Sequence, residues 1–518
     1  MMSARLHAVH PRLRDLLAGA VAVGERDDRE ICGLTLDSRA VQPGELFLAC
    51  AGRRTHGLAY LRDALAAGAA AVAYEVGDVR EARALRERYA VAGTGRAPLI
   101  VVPDLSRQAG SIAGRFYGQP SRDLTVIGIT GTNGKTSCSH YLAQSLDALG
   151  RRCGVIGTLG AGLSADLSPA GCTTPDAVNV QRLLAELRAR GARAVSLEVS
   201  SHGLHQGRVN GVHFDTALFT NLTREHLDYH GDMRAYGKAK ASLFESVGLR
   251  RAVVNAGDPF GRRLLDSLSP EVRAVGFRLE GGSREAVPTV GVPMVLGTDV
   301  RAGRNGCALR VDTPWGSGRI ETDLLGRFNA ENLLAVLAVL LSLEIPLAAA
   351  LERFSMLCAV PGRMEAFGGA RGAPLVVVDY AHTPDALEQA LGALRAHCTG
   401  ELWCVFGCGG ERDPGKRPLM GAVVERLADR IVLTDDNPRG ESATDIVMHI
   451  QKGMRDPDRA YVRRERGEAI ALAVRFARPA DVVLVAGKGH EQVQVSGGRA
   501  TPFSDREEVA RGLAERRS

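Results

Sequence analysis

The stretch Leu124-Thr-Val-Ile-Gly-Ile-Thr-Gly-Thr-Asn-Gly-Lys-Thr136 constrains this chain more than any other. An apolar run feeds a turn containing Gly131 and Gly134, and a helix pattern follows as far as Gly150. Strand, glycine turn and helix in that order suit a parallel sheet, whose strands must be joined by helical crossovers. The same geometry carries chemistry. Backbone N–H groups from Gly131, Thr132, Asn133, Gly134, Lys135 and Thr136 can point at phosphates, reinforced by the helix dipole. Lys135 would then neutralise β- and γ-phosphates, and the Thr136 hydroxyl would ligate Mg²⁺. One departure from the strict pattern is Ile129, which stands where a first glycine is usual. The competing reading, a glycine turn with no ligand, is weak beside Gly-Lys-Thr in the right strand–loop–helix context. A nucleoside triphosphate is implied, but kinase, GTPase, transport ATPase and ligase all stay open.

At roughly 100–200 residues per domain, 518 residues call for about three domains. Early apolar runs at 45–51, 69–74 and 98–103 close at a boundary near Asp104. Strands are then expected at 124–130, 194–199, 217–220 and 252–255, followed by a buried helix at 332–343 that ends at Glu344-Ile-Pro346. Strand signals resume at 375–380, 402–407, 431–435 and 481–486. The expectation is an α/β protein of three domains. Residues 1–104 form a small N-terminal α/β domain, 105–346 a central P-loop-type doubly wound sheet, and 347–518 a C-terminal Rossmann-like α/β domain.

Composition removes several classes. The charge of +6 is dispersed, without the Lys/Arg clustering that a nucleic-acid footprint needs. The ten cysteines lack a zinc-like or disulfide-like spacing and read as reduced thiols. The most apolar stretch, 333–341, is far short of the ~20 residues of a membrane span. A soluble, cytoplasmic, monomeric protein is expected.

Past the phosphate loop, Glu198 closes a strand signal and is followed by Ser200-Ser-His-Gly-Leu204. A carboxylate on a buried strand is costly unless it meets a cation, and Mg²⁺ held by Thr136 is the natural partner. Taken alone, His226 and Lys240 read as a structural histidine and a surface lysine. Together, however, Thr130-Gly-Thr-Asn-Gly-Lys-Thr136, Glu198-Val-Ser-Ser-His202, Asn221-Leu-Thr-Arg-Glu-His-Leu-Asp228 and Tyr236-Gly-Lys-Ala-Lys240 occur in the order found in the Mur ligases. So do Gly326-Arg-Phe-Asn329 with Asn332, Pro361-Gly-Arg-Met-Glu365 and Asp379-Tyr-Ala-His-Thr-Pro384. The chain resembles that family over essentially its whole length.

The resemblance implies an ATP-dependent amide ligase of peptidoglycan precursor synthesis that uses Mg²⁺. It implies that Lys240 is carbamylated, which turns a cation into an anionic oxygen ligand. Thr136, Glu198, His226 and the modified Lys240 are then the metal site, and Lys135, Glu198, His226 and Lys240 the catalytic set. It also places ATP on 131–137, including Ser137, on Asn332 near adenine, and on Arg363 and Asp379. The nucleotide sugar falls to Leu36, Ser38, Arg53, Arg54 and Thr55, and the muramoyl-dipeptide to Thr173, Thr174, Ser200, Gln206 and Arg208. Cys172 departs from the family pattern, which often has asparagine before Thr-Thr-Pro.

The acceptor is read from residues first. Arg439, just past a strand and stiffened by Pro438, offers a planar fork for a carboxylate, and Arg412 offers a second. Gly487-Lys-Gly-His-Glu491 supplies close backbone approach and the Glu491 carboxylate for an ammonium. The quartet Asp436-Asn437-Pro438-Arg439 resembles the signature of ligases that add meso-diaminopimelate to UDP-N-acetylmuramoyl-L-alanyl-D-glutamate. The amine's base is open, with His382 a weak candidate. Rivals are a lysine-adding or folate-glutamate ligase, a P-loop kinase or GTPase, and a nucleotide-gated scaffold without chemistry.

Overall fold

In a computed structural model, residues 10–52, 55–76, 84, 97–164, 166–280, 291–303, 306–370 and 372–516 are described. The described residues of Met1–Gly276 and Thr289–Val292 make one compact unit, and those of Phe277–Pro288 and Pro293–Ser518 the other.

In the first unit the early apolar runs form a parallel four-stranded sheet in the order Gly33–Thr35, Glu45–Ala49, Ala71–Val76, Leu99–Pro103. Alternation along Glu45–Ala49 sends Leu46 and Leu48 to one face and Phe47 and Ala49 to the other, each into its own cluster. The first cluster does not stop at residue 104. It runs through helix Leu105–Phe116 to Ala177, Val178 and Ala185 of helix Ala177–Ala189. Close backbone approach seals this seam, since a Cβ on Gly110 would lie 1.8 Å from the Asn210 carbonyl oxygen.

A second sheet of this unit runs Arg251–Asn255, Thr216–Phe219, Thr125–Thr130, Ala194–Glu198, Cys153–Gly157, with these strands parallel. Its strands are apolar end to end because helices cover both faces. The register Ile129↔Glu198 sets the carboxyl end of the loop-bearing strand level with Glu198. Two short antiparallel strands, Gly160–Leu163 and Asp166–Ser168, extend the sheet beyond Cys153–Gly157.

In the second unit, strands Met294–Gly303, Gly306–Thr313 and Gly316–Thr322 form an antiparallel meander. The apolar helix is longer than its sequence pattern, Arg327–Ser342, because Gly326 at φ +90° ends the preceding loop and lets the helix begin there. A six-stranded sheet follows in the order Glu365–Gly368, Leu375–Asp379, Val482–Ala486, Leu402–Phe406, Arg430–Leu433, Ala460–Val462, parallel except for its first pair. Val377, Cys404 and Leu484 face one cluster, while Val376, Val405 and Val483 face the other, so helices lie on both sides. The mixed α/β, largely parallel architecture is the one expected. Among the described residues, no helix is long and apolar enough to cross a membrane.

Candidate active site

The loop expected to cradle phosphates leaves strand Thr125–Thr130 and enters helix Lys135–Ala148. Gly131, at φ +150°, has no alternative residue: a Cβ there would lie 1.9 Å from Thr220 Oγ1. The neighbouring strand end, Thr220 and Asn221, holds the loop open. Thr220 Oγ1 donates to the Asn133 carbonyl at 2.6 Å, and Asn133 N donates to Asn221 Oδ1 at 2.9 Å. Lys135 Nζ donates to the carbonyls of Gly131 and Thr132, each at 2.7 Å.

Glu198 lies at the foot of this loop and is fully buried. Thr136 Oγ1 donates to its Oε2 at 2.9 Å, Thr158 Oγ1 to the same oxygen at 3.1 Å, and Thr158 N to Oε1 at 2.9 Å. Gly157 makes the room, because a Cβ there would lie 2.1 Å from Oε1. Among the described residues, the hydrogen bonds to this buried carboxylate all come from neutral donors, so no cation of the chain is paired with it by them. Lys240, 1% exposed on helix Met233–Ala241, donates through Nζ to the Gly131 carbonyl at 2.8 Å and lies 4.5 Å over the Tyr236 ring. Burial, and then Lys135, hold its ammonium well below the ordinary lysine range. Tyr236 is fixed in turn by Thr132, whose Oγ1 is 3.1 Å from its hydroxyl.

His226 takes a left-handed backbone, φ +56°, and its ring packs 4.7 Å from that of His202. Burial lowers the pKa of both imidazoles, that of His202 to about 4. Beyond them is the group expected for the muramoyl-dipeptide. Thr174 Oγ1 donates to the Glu198 carbonyl at 2.9 Å and accepts from Ser200 N at 3.0 Å, while Thr173 Oγ1 is 3.0 Å from Thr158 Oγ1. Arg208 donates to the Thr174 carbonyl at 2.8 Å and to Gln206 Oε1 at 2.9 Å. Cys172 Sγ donates to that same Thr174 carbonyl at 3.2 Å. Leu36 and Ser38 follow strand Gly33–Thr35, with Ser38 opening a single turn capped by Asp37; Thr55 is exposed. Arg53 and Arg54 lie outside the described residues.

In the second unit Asn332 sits buried on helix Arg327–Ser342, its Nδ2 donating to Asn329 Oδ1 at 3.2 Å. Asp379 ends its strand and accepts from Met364 N at 2.8 Å and Ala381 N at 2.9 Å; burial raises its carboxyl pKa. Arg363 stacks 4.4 Å over Tyr380. The quartet Asp436–Arg439 and the segment Gly487–Glu491 are brought together. Asn437 Nδ2 donates to Glu491 Oε2 at 2.8 Å, and a Cβ on Gly487 would lie 2.5 Å from Asp436 Oδ2. Pro438 carries the chain into Arg439, whose φ of +54° and Nη1 bond to the Gly410 carbonyl at 2.7 Å fix the fork. Arg412 is exposed on the neighbouring loop, and His382 Nδ1 is 2.8 Å from the Tyr380 carbonyl.

The chain's similarities fall on these same segments. Family models described as Mur ligase family, catalytic domain, Mur ligase middle domain, and Mur ligase, glutamate ligase domain match residues 30–117, 129–340 and 362–489. The chain is 52% identical over 506 residues to the UDP-N-acetylmuramoyl-L-alanyl-D-glutamate--2,6-diaminopimelate ligase of Alkalilimnicola ehrlichii, covering 97% of this chain and 99% of that one. The chain belongs to the Mur ligase family. The Pseudomonas aeruginosa ligase of the same name is 50% identical, with 93% and 94% covered. A solved structure of a ligase bearing that name superposes with a TM-score of 0.70 at 34% identity, covering 98% of this chain and all of that one. The Thermotoga maritima MurF ligase in complex with ADP shares the fold, with a TM-score of 0.60 at 18% identity, over 95% of this chain and 99% of that one.

As a Mur ligase this chain is an enzyme, and many of its expected residues fall into three groups: loop, Glu198 and Lys240; Thr173 to Arg208; and the quartet with Glu491. Several side chains that build these groups had no sequence signal. Thr158 follows an unremarkable apolar strand, yet it supplies two donors to Glu198. Lys488, within Gly487-Lys-Gly-His-Glu491, is a residue type ordinarily found at the surface, yet it is fully buried. Arg466 and Asp505, far apart in sequence, form a fully buried two-pronged pair at 2.6 and 2.7 Å beneath the quartet.

Proposed function

We propose that this Mur ligase adds meso-diaminopimelate to UDP-N-acetylmuramoyl-L-alanyl-D-glutamate at the expense of ATP, releasing ADP and phosphate. The observation that carries the reading is the locked quartet, in which Arg439 and Glu491 set a carboxylate reader and an ammonium reader on one buried frame. Its relatives at about half identity carry that activity in their names.

Residues 131–137 would bind the triphosphate, with Asn332, Arg363 and Asp379 as further nucleotide contacts. Leu36, Ser38 and Thr55 would hold the nucleotide sugar, and Thr173, Thr174, Ser200, Gln206 and Arg208 the dipeptide. Among the described residues, no three His, Cys, Asp or Glu converge on one point. Mg²⁺ is commonly held through one or two carboxylates, with phosphate and water filling much of its shell. Thr136 and Glu198 fit it, and His226 and a carbamylated Lys240 would complete the protein side. Mg²⁺ supplies charge neutralisation for the phosphates when bound.

The terminal carboxylate of the dipeptide attacks the γ-phosphorus, giving an acyl phosphate and ADP. The acceptor amine then attacks the acyl carbon, loses a proton, and expels phosphate. Lys135 and the loop N–H groups stabilise the transferring phosphoryl group. The lowering of the Lys240 pKa by burial favours the neutral amine, the form that reacts with carbon dioxide. An ADP-release assay with the muramoyl-dipeptide nucleotide and a panel of diamino acids tests the reading. Diaminopimelate should far exceed lysine, and equal rates would refute it.

A further inference from the structure

Lys488 is a lysine with no exposure, and all three of its ammonium hydrogens are placed. Nζ donates to Asn437 Oδ1 at 2.9 Å, to Glu491 Oε2 at 2.9 Å and to the Val493 carbonyl at 2.7 Å. Asn437 cannot turn its amide around, because Oδ1 also accepts from Val495 N at 3.0 Å. Its Nδ2 is therefore aimed at Glu491, where it donates to the same Oε2 at 2.8 Å. One carboxylate oxygen thus receives both donors. Among the described residues the other, Oε1, accepts no hydrogen bond, and the Glu491 side chain is 29% exposed.

We infer that Lys488 is the positioning residue of acceptor recognition: it pins Glu491 through Oε2 and leaves Oε1 as the single oxygen offered to the acceptor's ammonium. The inference rests on the reading of Glu491 as an acceptor contact. A carboxylate with both oxygens free would pair two-pronged with a guanidinium; with only one on offer it suits the compact, point-like charge of an ammonium. Burial acts to raise the Glu491 pKa, but the charge and hydrogen bond of Lys488, with the bond from Asn437, outweigh it and leave that pKa below the usual carboxylate range. Lys488 itself has no exposed atom with which to touch substrate.

The test is a steady-state comparison of Lys488→Met, Glu491→Gln and the double variant, with all three substrates varied in turn. Lys488→Met should raise the acceptor KM about tenfold to a hundredfold, the range of a lost bond to a charged group. The kcat and the KM values for ATP and the muramoyl-dipeptide nucleotide should stay within about threefold. If Lys488 acts through Glu491, the double variant should match Glu491→Gln alone; multiplying effects, or a fall in kcat with unchanged acceptor KM, would overturn the inference. Should Lys488→Met not fold, Asn437→Asp replaces the donor to Oε2 with a repelling oxygen and should give the same split. The wild type's choice of diamino acid is read separately. Failure to use diaminopimelate sinks the proposed substrate, while the coupling can still be measured on whichever diamino acid turns over.

Discussion

A single methyl group added at Gly157, a position assigned no contact with substrate or metal, should disable the enzyme by displacing Glu198. An alanine Cβ there would lie 2.1 Å from Glu198 Oε1 and 2.7 Å from its Cδ, far inside contact distance. Glu198 is fully buried and cannot swing into solvent. To relieve the clash it must leave the donors Thr136 Oγ1, Thr158 Oγ1 and Thr158 N. Each such bond to a charged acceptor contributes about 1.5–3 kcal/mol, and overpacking alone costs about 1–3 kcal/mol. Even the loss of one bond's worth of transition-state stabilisation is about tenfold to a hundredfold in rate. Gly157→Ala should therefore lower kcat for ADP release by about a hundredfold or more, with Mg²⁺ dependence shifted to higher concentration. Thr158→Val, which keeps the backbone donor and removes the hydroxyl, should lose only about tenfold. The reasoning fails if Gly157→Ala keeps kcat within a factor of two, or if Thr158→Val proves the more damaging change.

Lys240→Ala should abolish turnover and recover part of it when short carboxylic acids are supplied. In the wild type, ¹³C-bicarbonate should give a carbamate NMR signal that the variant lacks; no signal and full activity would both count against the modification. Arg466→Met should destabilise the second unit by about 3–5 kcal/mol by stranding Asp505, whereas Arg466→Met with Asp505→Leu should recover much of that in denaturant titrations. His202 has its folded pKa lowered to about 4, so between pH 6.5 and 4 the unfolded chain binds the proton and the folded one does not. Stability should fall as pH drops through that window, and His202→Asn should flatten the slope measured by urea midpoints.

The parallel sheets were legible because buried strands write themselves as short apolar runs, and four of the eight expected runs ended on the residue just past the observed strand. The antiparallel meander was not, although Cys307, Leu309 and Val311 alternate inward; its period-two signal is weak beside exposed arginines and a Trp. At the site, residue types with one dominant chemistry stood out: Lys135, Thr136, Glu198, Arg439, Glu491. Residues whose role is to hold another side chain did not, since Thr158, Tyr236 and Lys488 are common types whose meaning lies in a fold-dependent neighbour. Gly157 belongs with them, because a missing side chain matters only once the carboxylate beside it is known.

The apolar seam that joins the N-terminal sheet to helix Ala177–Ala189, with Gly110 pressed against Asn210, has a mechanical consequence. Among the described residues, the segment proposed to grip uridine and the loop proposed to hold phosphate belong to one compact unit, packed together across this seam. On that reading the first unit would work as a gauge. It would admit a nucleotide-linked peptide only when its last carboxyl group falls at the reaction point, so that the scaffold itself would check chain length rather than any one contact. Precursors one residue shorter or longer would be refused by span, even though every chemical group they carry is familiar to the site.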